Sequence, residues 1–154
     1  MIDIKVGWRK TFKSKGSNNP ITIIAYHASD NLLVFACVGI LFSCRRSEIE
    51  RVLHSWYEHS FPDELKEEFK EEYLTGLCAE NITTNIPEWV EHTEYKDTLL
   101  DIGRNINKCR RAIWLRNVAK GNFYSAYDSL HDRFKRMNAN DTGTVLPIFW
   151  IEKE

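Results

Sequence analysis

Cysteine is too thinly spread in this chain to form a framework: Cys37, Cys44, Cys78 and Cys109 include no CxxC pair and no dense cluster. A chain of 154 residues buries enough apolar surface without staples, so the four read as reduced, mostly buried thiols of a cytoplasmic protein. Glycine is sparse as well, with seven residues scattered singly, which leaves no glycine-rich cradle for a phosphate. There is no Gly-x-Ser-x-Gly elbow, and no local signature surrounds any cysteine, so nothing marks an activated nucleophile. The longest apolar run, 32–42, covers 11 residues, whereas a membrane-spanning helix takes about 20. The first residues alternate polar and apolar side chains, without the charged start and apolar block of a signal peptide. With no linker or low-complexity stretch either, the sequence reads as one domain over residues 1–154 that stays in solution.

What the sequence does hold is globular material: 43% hydrophobic and 28% charged residues, with five Trp, six Tyr and eight Phe to fill a core. From Ile4 to Phe12 the even positions are Ile4, Val6, Trp8, Lys10 and Phe12 and the odd ones polar or glycine, the period of a half-exposed strand. After the loop 14–20, Ile21 to Ala28 and Leu32 to Phe42 are β-branched or apolar runs joined by Ser29-Asp30-Asn31, a hairpin signal. The run 32–42 is apolar on both faces, which places it centrally, covered by helices or by a second subunit. A homodimer is therefore one expectation.

The remainder shows helical spacing. Ser47-x-x-Glu50 reads as a capping box ahead of Ile49, Val52, Leu53 and Trp56. Ser60 with Pro62 and Asp63 reads as the start of a second helix to about Leu77, and Asn85 with Pro87 as the start of a third, short one. Tyr95, Leu99, Ile102, Ile106, Cys109 and Ile113 predict a long amphipathic helix, and Phe123, Ala126, Tyr127, Leu130, Phe134 and Met137 a last one. Thr144 to Ile151 reads as a returning strand, with Pro147 at an edge or bulge. The expected fold is α+β: an N-terminal antiparallel sheet of about three strands, with a C-terminal strand as a candidate fourth, packed against four to five helices.

Three fragments suggest chemistry and fail on their spacing. Pro62-Asp63-Glu64-Leu65-Lys66 spells the PD-(D/E)xK string of a nuclease family, but there the Asp is separated from an ExK on a strand, and here the letters are contiguous. Gly121-Asn122-Phe123-x-x-Ala126 matches half a tetratricopeptide pattern, once, where stacking needs about three copies. The pairs His54/Glu58, Glu88/His92 and Asp128/His131 each offer two ligands, short of the three or four that hold zinc, so no metal and no cofactor is expected. They read as surface pairs.

Charge is the informative feature. Residues 58–101 hold thirteen acids against Lys66, Lys70 and Lys96, a net −10 within a chain of net −1. Residues 104–136 hold nine bases against Asp128 and Asp132, a net +7. On a helix from Ser60 the four-residue phase turns Leu65, Phe69 and Tyr73 inward. It sets Asp63, Glu67 and Glu71 in one row and Glu64, Glu68 and Glu72 in the next. Like-charge neighbours at i,i+4 cost roughly 0.2–0.5 kcal/mol each, offset in part by Asp63–Lys66 and Glu67–Lys70.

A cationic partner would relieve that repulsion, so the leading expectation is a non-enzymatic protein-binding module docking a basic partner through this acidic helical face. Small intracellular inhibitor or immunity-type proteins offer an analogy in charge. Arg104, Lys108, Arg110, Arg111 and Arg116 form the rival surface, a nucleic-acid interface, which a pI near 6.5 disfavours. An enzyme whose site is assembled only in three dimensions is the third alternative; a deep pocket combining His with Asp or Glu would be its mark.

Overall fold

The computed structural model describes residues 4–16, 20–39, 42–76, 112–118, 123–128 and 133–153. Among these the chain forms ten strands and one α-helix. They run β1 (Arg9–Lys13), β2 (Pro20–Ala28), β3 (Leu32–Val38), β4 (Phe42–Cys44), α1 (Ile49–His59), β5 (Leu74–Thr75), β6 (Ile113–Val118), β7 (Phe123–Asp128), β8 (Arg133–Asn138), β9 (Gly143–Val145) and β10 (Ile148–Glu152). Short 3-10 turns stand at Arg46–Glu48, Asp63–Leu65 and Glu71–Tyr73. The architecture is thus sheet-rich, and it overturns the expected three-stranded sheet under four to five helices.

The first sheet has the order β1-β2-β3-β10-β5, antiparallel throughout. Its β2–β3 hairpin closes where the sequence signals it: the Ser29 amide donates to the Leu32 carbonyl at 2.9 Å, and the Ser29 hydroxyl oxygen accepts the Leu32 amide at 3.1 Å. Leu33 to Cys37 are all buried. Leu33, Phe35 and Cys37 enter the main core, while Val34 and Ala36 lie on the opposite face beside Ile24 and Ile148, also at 0–1% exposure. One chain therefore buries both faces of β3, and this strand makes no demand for a second subunit. The edge strand β1 exposes Arg9, Lys10 and Lys13, charges that discourage strand addition.

The second sheet, β4-β9-β6-β7-β8, is antiparallel except for the parallel pair β6–β9. Two neighbouring strand pairs connect the sheets: β3 pairs with β10 in the first, and their continuations β4 and β9 pair in the second. Such corners need a bend in each strand. Gly39 supplies one, with φ +97° and a Pro20 carbonyl so close that a Cβ would run into it. Leu146-Pro147 supplies the other. Pro147 has no amide to donate, but its carbonyl accepts the Cys37 amide at 2.9 Å, so the ladder survives the corner.

Helix α1 buries Ile49, Leu53, Trp56 and Tyr57. The capping box forms not at Ser47 and Glu50 but on the 3-10 turn that leads into the helix, where the Arg45 amide donates to Glu48 Oε1 at 3.0 Å. Aromatic rings then link helix to sheet. Phe61, fully buried, stacks on Tyr57 at 5.2 Å and meets Trp56 at 5.4 Å and Phe149 at 5.4 Å. Phe149 continues to Phe69 (5.2 Å), Phe69 to Phe35 (5.1 Å) and Phe35 to Trp8 (5.8 Å). In the second sheet Trp114 is buried, its indole donating to the Cys44 carbonyl at 3.0 Å. The Arg46 guanidinium lies 4.6 Å from the centre of the Tyr124 ring and 5.7 Å from that of Trp114.

Two predicted helices are strands or turns. The strands β7 and β8 stand where the last helix was expected, with Tyr124 opposite Met137 and Tyr127 opposite Phe134. The three-and-four spacing there arises from two strands rich in aromatic residues, which suit a pleated surface. Phe123 and Ala126 of the half-repeat fragment are therefore strand residues. Residues 60–76 do not form a helix either. In a helix the Phe69 carbonyl would accept the Tyr73 amide; here it accepts the Tyr57 hydroxyl at 2.8 Å, and the Tyr73 amide turns to the Lys70 carbonyl at 3.0 Å. Lys70 is extended (φ −71°, ψ 151°), so the segment is two 3-10 turns joined by a bend. The short helix predicted from Asn85 lies outside the described residues, as does most of the long one from Tyr95. Its last position, Ile113, opens β6.

Candidate functional site

The acidic segment survives as a surface but not as a helical face. Leu65 and Phe69 are buried and Tyr73 half-buried, so the inward stripe is kept by turns of similar reach. The six acids divide into two kinds. Asp63, at the start of the first 3-10 turn, holds Lys15 at 2.8 Å and Lys66 at 2.9 Å. The hydrogen bonds from Lys15 and Lys66 keep its carboxyl below the usual range. Lys66 also lies 5.2 Å from the centre of the Tyr57 ring, and the Lys15 amide donates to the Ser60 carbonyl at 2.8 Å, so these cations are fixed by the fold.

Glu71, at the start of the second turn, accepts His54 Nδ1–H at 3.0 Å, while His54 Nε2 faces Glu58 at 3.3 Å. Only an imidazolium donates from both nitrogens. The hydrogen bond and charge of Glu71, with a smaller contribution from Glu58, accordingly raise the pKa of His54. The i,i+4 pair His54/Glu58 was visible in the sequence; the Glu71 partner was not.

Glu64, Glu67, Glu68 and Glu72 are exposed and form no salt bridge among the described residues. The expected Glu67–Lys70 pair is not among those ion pairs either. The PD-(D/E)xK letters form a surface turn in which Lys66 serves Asp63. No group of three or more His, Cys, Asp or Glu that could hold a metal ion occurs among the described residues.

A cleft of about 600 Å³ opens beside α1, lined by Arg46, Ser47, Glu50, His54, Glu71 and Thr75 over an apolar floor of Ile49, Leu53 and Leu74. It combines a histidine with acids, the arrangement that would mark an enzyme. Both ring nitrogens of His54 face carboxylates there, Nδ1 towards Glu71 and Nε2 towards Glu58.

Of the rival basic surface, Arg104, Lys108, Arg110 and Arg111 lie outside the described residues, and Arg116 falls on β6. Lys135 and Arg136 are exposed on β8. Cys37 and Cys44 are free thiols, both buried, and burial pushes the Cys37 thiol far up. Among the described residues no helix is long and apolar enough to cross a membrane.

Compared with protein-family models, with curated proteins and with solved structures, the chain gives no match. The analogy with inhibitor or immunity-type proteins finds no support: it was drawn from the charge of an acidic helical face, and that segment is a pair of turns within a sheet-rich fold.

Proposed function

We propose that this chain is a non-enzymatic protein-binding module of the cytoplasm that docks a basic partner through Glu64, Glu67, Glu68 and Glu72. The observation that carries the reading is the division of the acids. Asp63 and Glu71 are spent on Lys15, Lys66 and His54, while the other four face solvent without an ion pair among the described residues. Their backbone is held in place by buried Leu65 and Phe69 and by the bond from the Tyr57 hydroxyl to the Phe69 carbonyl. Carboxylates on an anchored segment demand little ordering when a partner binds, and their charge speeds encounter and selects a cationic surface. The free, buried thiols of Cys37 and Cys44 support the cytoplasmic part of this reading.

The test uses a hexa-arginine peptide as probe and two double variants that remove the same formal charge. Glu68→Gln with Glu72→Gln should weaken binding by about 5- to 30-fold at low salt, at about 0.5–1 kcal/mol for each exposed charge pair lost. Asp63→Asn with Glu71→Gln should leave affinity within about 2-fold while lowering stability. Equal weakening by both would mean that net charge alone is being read, and the surface assignment would fall.

A further inference from the structure

The two-residue strand β5 pairs with β10 only at Ile148 and Phe149. Past that point β10 runs on to Glu152, and a groove of about 330 Å³ lies between it and residues 72–75. Trp150 and Tyr73, both half-buried, supply aromatic surface to its walls, and Leu74 adds apolar surface. Glu72 and Glu152 are exposed at its rim, and neither forms a salt bridge among the described residues. Trp150 and Glu152 are two apart on a strand and so share one face of the sheet.

Each property narrows the occupant. The volume is at the bottom of the range of about 300–1,000 Å³ that small-molecule sites occupy, enough for one long side chain. Two carboxylates and no cation among the lining residues exclude an anion. Aromatic walls under a carboxylate rim suit a group that is flat, cationic and partly apolar along its stem. We propose that this groove seats an arginine side chain of the basic partner, its guanidinium against Trp150 or Tyr73 and its N–H groups donating to Glu72 and Glu152. Arginine is preferred to lysine because its planar fork stacks on rings and donates to two carboxylates at once. This deepens the reading above and rests on it: Glu72 belongs to both surfaces, so the groove is where the exposed carboxylates meet the edge of the first sheet.

The experiment is a titration of the whole chain with hexa-arginine, and with hexa-citrulline as the neutral isostere, followed at the Trp150 indole N–H by NMR. The discriminating variant is Glu152→Gln, which changes an exposed residue outside the acidic segment. A saturable Trp150 shift with hexa-arginine but not with hexa-citrulline is expected, and Glu152→Gln should weaken binding by about 3- to 10-fold. If hexa-arginine binds and is weakened by the Glu68/Glu72 pair of changes, yet Trp150 stays silent and Glu152→Gln has no effect, the groove assignment is overturned while the acidic docking surface stands. If hexa-arginine does not bind at low salt, both fall. A Trp150 shift of equal size with hexa-citrulline would also overturn the groove, since charge would then play no part.

Discussion

Adding a single methyl group to Gly143 tests the packing of the second sheet. Its φ is not in the left-handed region, so the demand for glycine here is one of space alone. A Cβ would stand 2.6 Å from Trp114 Nε1 and 2.7 Å from its Cε2, with Met137 Cε at 3.1 Å, where ordinary contact begins near 3.4 Å. Strand β9 is paired with β4 on one side and β6 on the other, so it cannot back away, and the Trp114 ring is fully buried. Overpacking of this kind costs about 1–3 kcal/mol. Moving the indole off the Cys44 carbonyl leaves a buried donor unsatisfied, about 1–3 kcal/mol more. The expected loss for Gly143→Ala is therefore about 2–6 kcal/mol, out of the roughly 5–15 kcal/mol that a domain has. With a urea dependence of about 2 kcal/mol per molar, the unfolding midpoint should fall by about 1–3 M, read by tryptophan fluorescence. Trp114→Phe removes the indole N–H whose bond to the Cys44 carbonyl would be lost, so Gly143→Ala should cost less on that background than on the parent. A midpoint within about 0.3 M of the parent would refute the reasoning, because it would mean that Trp114 does not lie against Gly143.

Two further changes probe the acidic segment. His54 has its pKa raised in the folded chain by Glu71 and then Glu58, so its contribution is fully present below the unfolded value of 6.5 and is lost as pH rises through the folded one. The stability gap between the parent and His54→Gln should therefore be wider near pH 5.5 than near about pH 8.5, and the His54 ring protons should titrate with a midpoint above 6.5; a gap independent of pH would sink this reading. Tyr57→Phe deletes the donor that holds the Phe69 carbonyl, and should cost about 1–2 kcal/mol and speed amide exchange through residues 69–76 more than in β2 or β3. Uniform exchange changes would mean that this bond does not set the local conformation.

The sheet third of the chain was legible because period two and a Ser-Asp-Asn turn are local signals, and the same holds for α1, whose apolar positions recur at helical spacing. The errors have one physical source, namely that spacing by three and four is not unique to helices. Tyr127 and Phe134 lie opposite one another across β7 and β8, yet in sequence their spacing passes for one stripe. Leu65, Phe69 and Tyr73 do turn inward as predicted, but whether their backbone is a helix was decided by a hydroxyl from α1, at Tyr57. Likewise the six acids were plain in the letters, while their division was not, since Lys15 reaches Asp63 across 48 positions and His54 reaches Glu71 across 17.

That division also answers the electrostatic puzzle that the acidic run poses. Rows of like charge on a helix would repel at every i,i+4 step and would call for a cationic partner. Without a helix the rows do not exist, and the acids differ instead in which of them are anchored. Asp63 and Glu71 each open a 3-10 turn and each bind a basic side chain supplied by the fold, whereas their sequence neighbours Glu64 and Glu72 bind none among the described residues. A run kept only for solubility would have no reason to separate the two roles so cleanly, one acid of each pair fixing the backbone and the next facing out. Fixing the backbone sets where Glu64, Glu67, Glu68 and Glu72 stand. Changes at the anchored acids should therefore act through stability, and changes at the exposed ones through recognition.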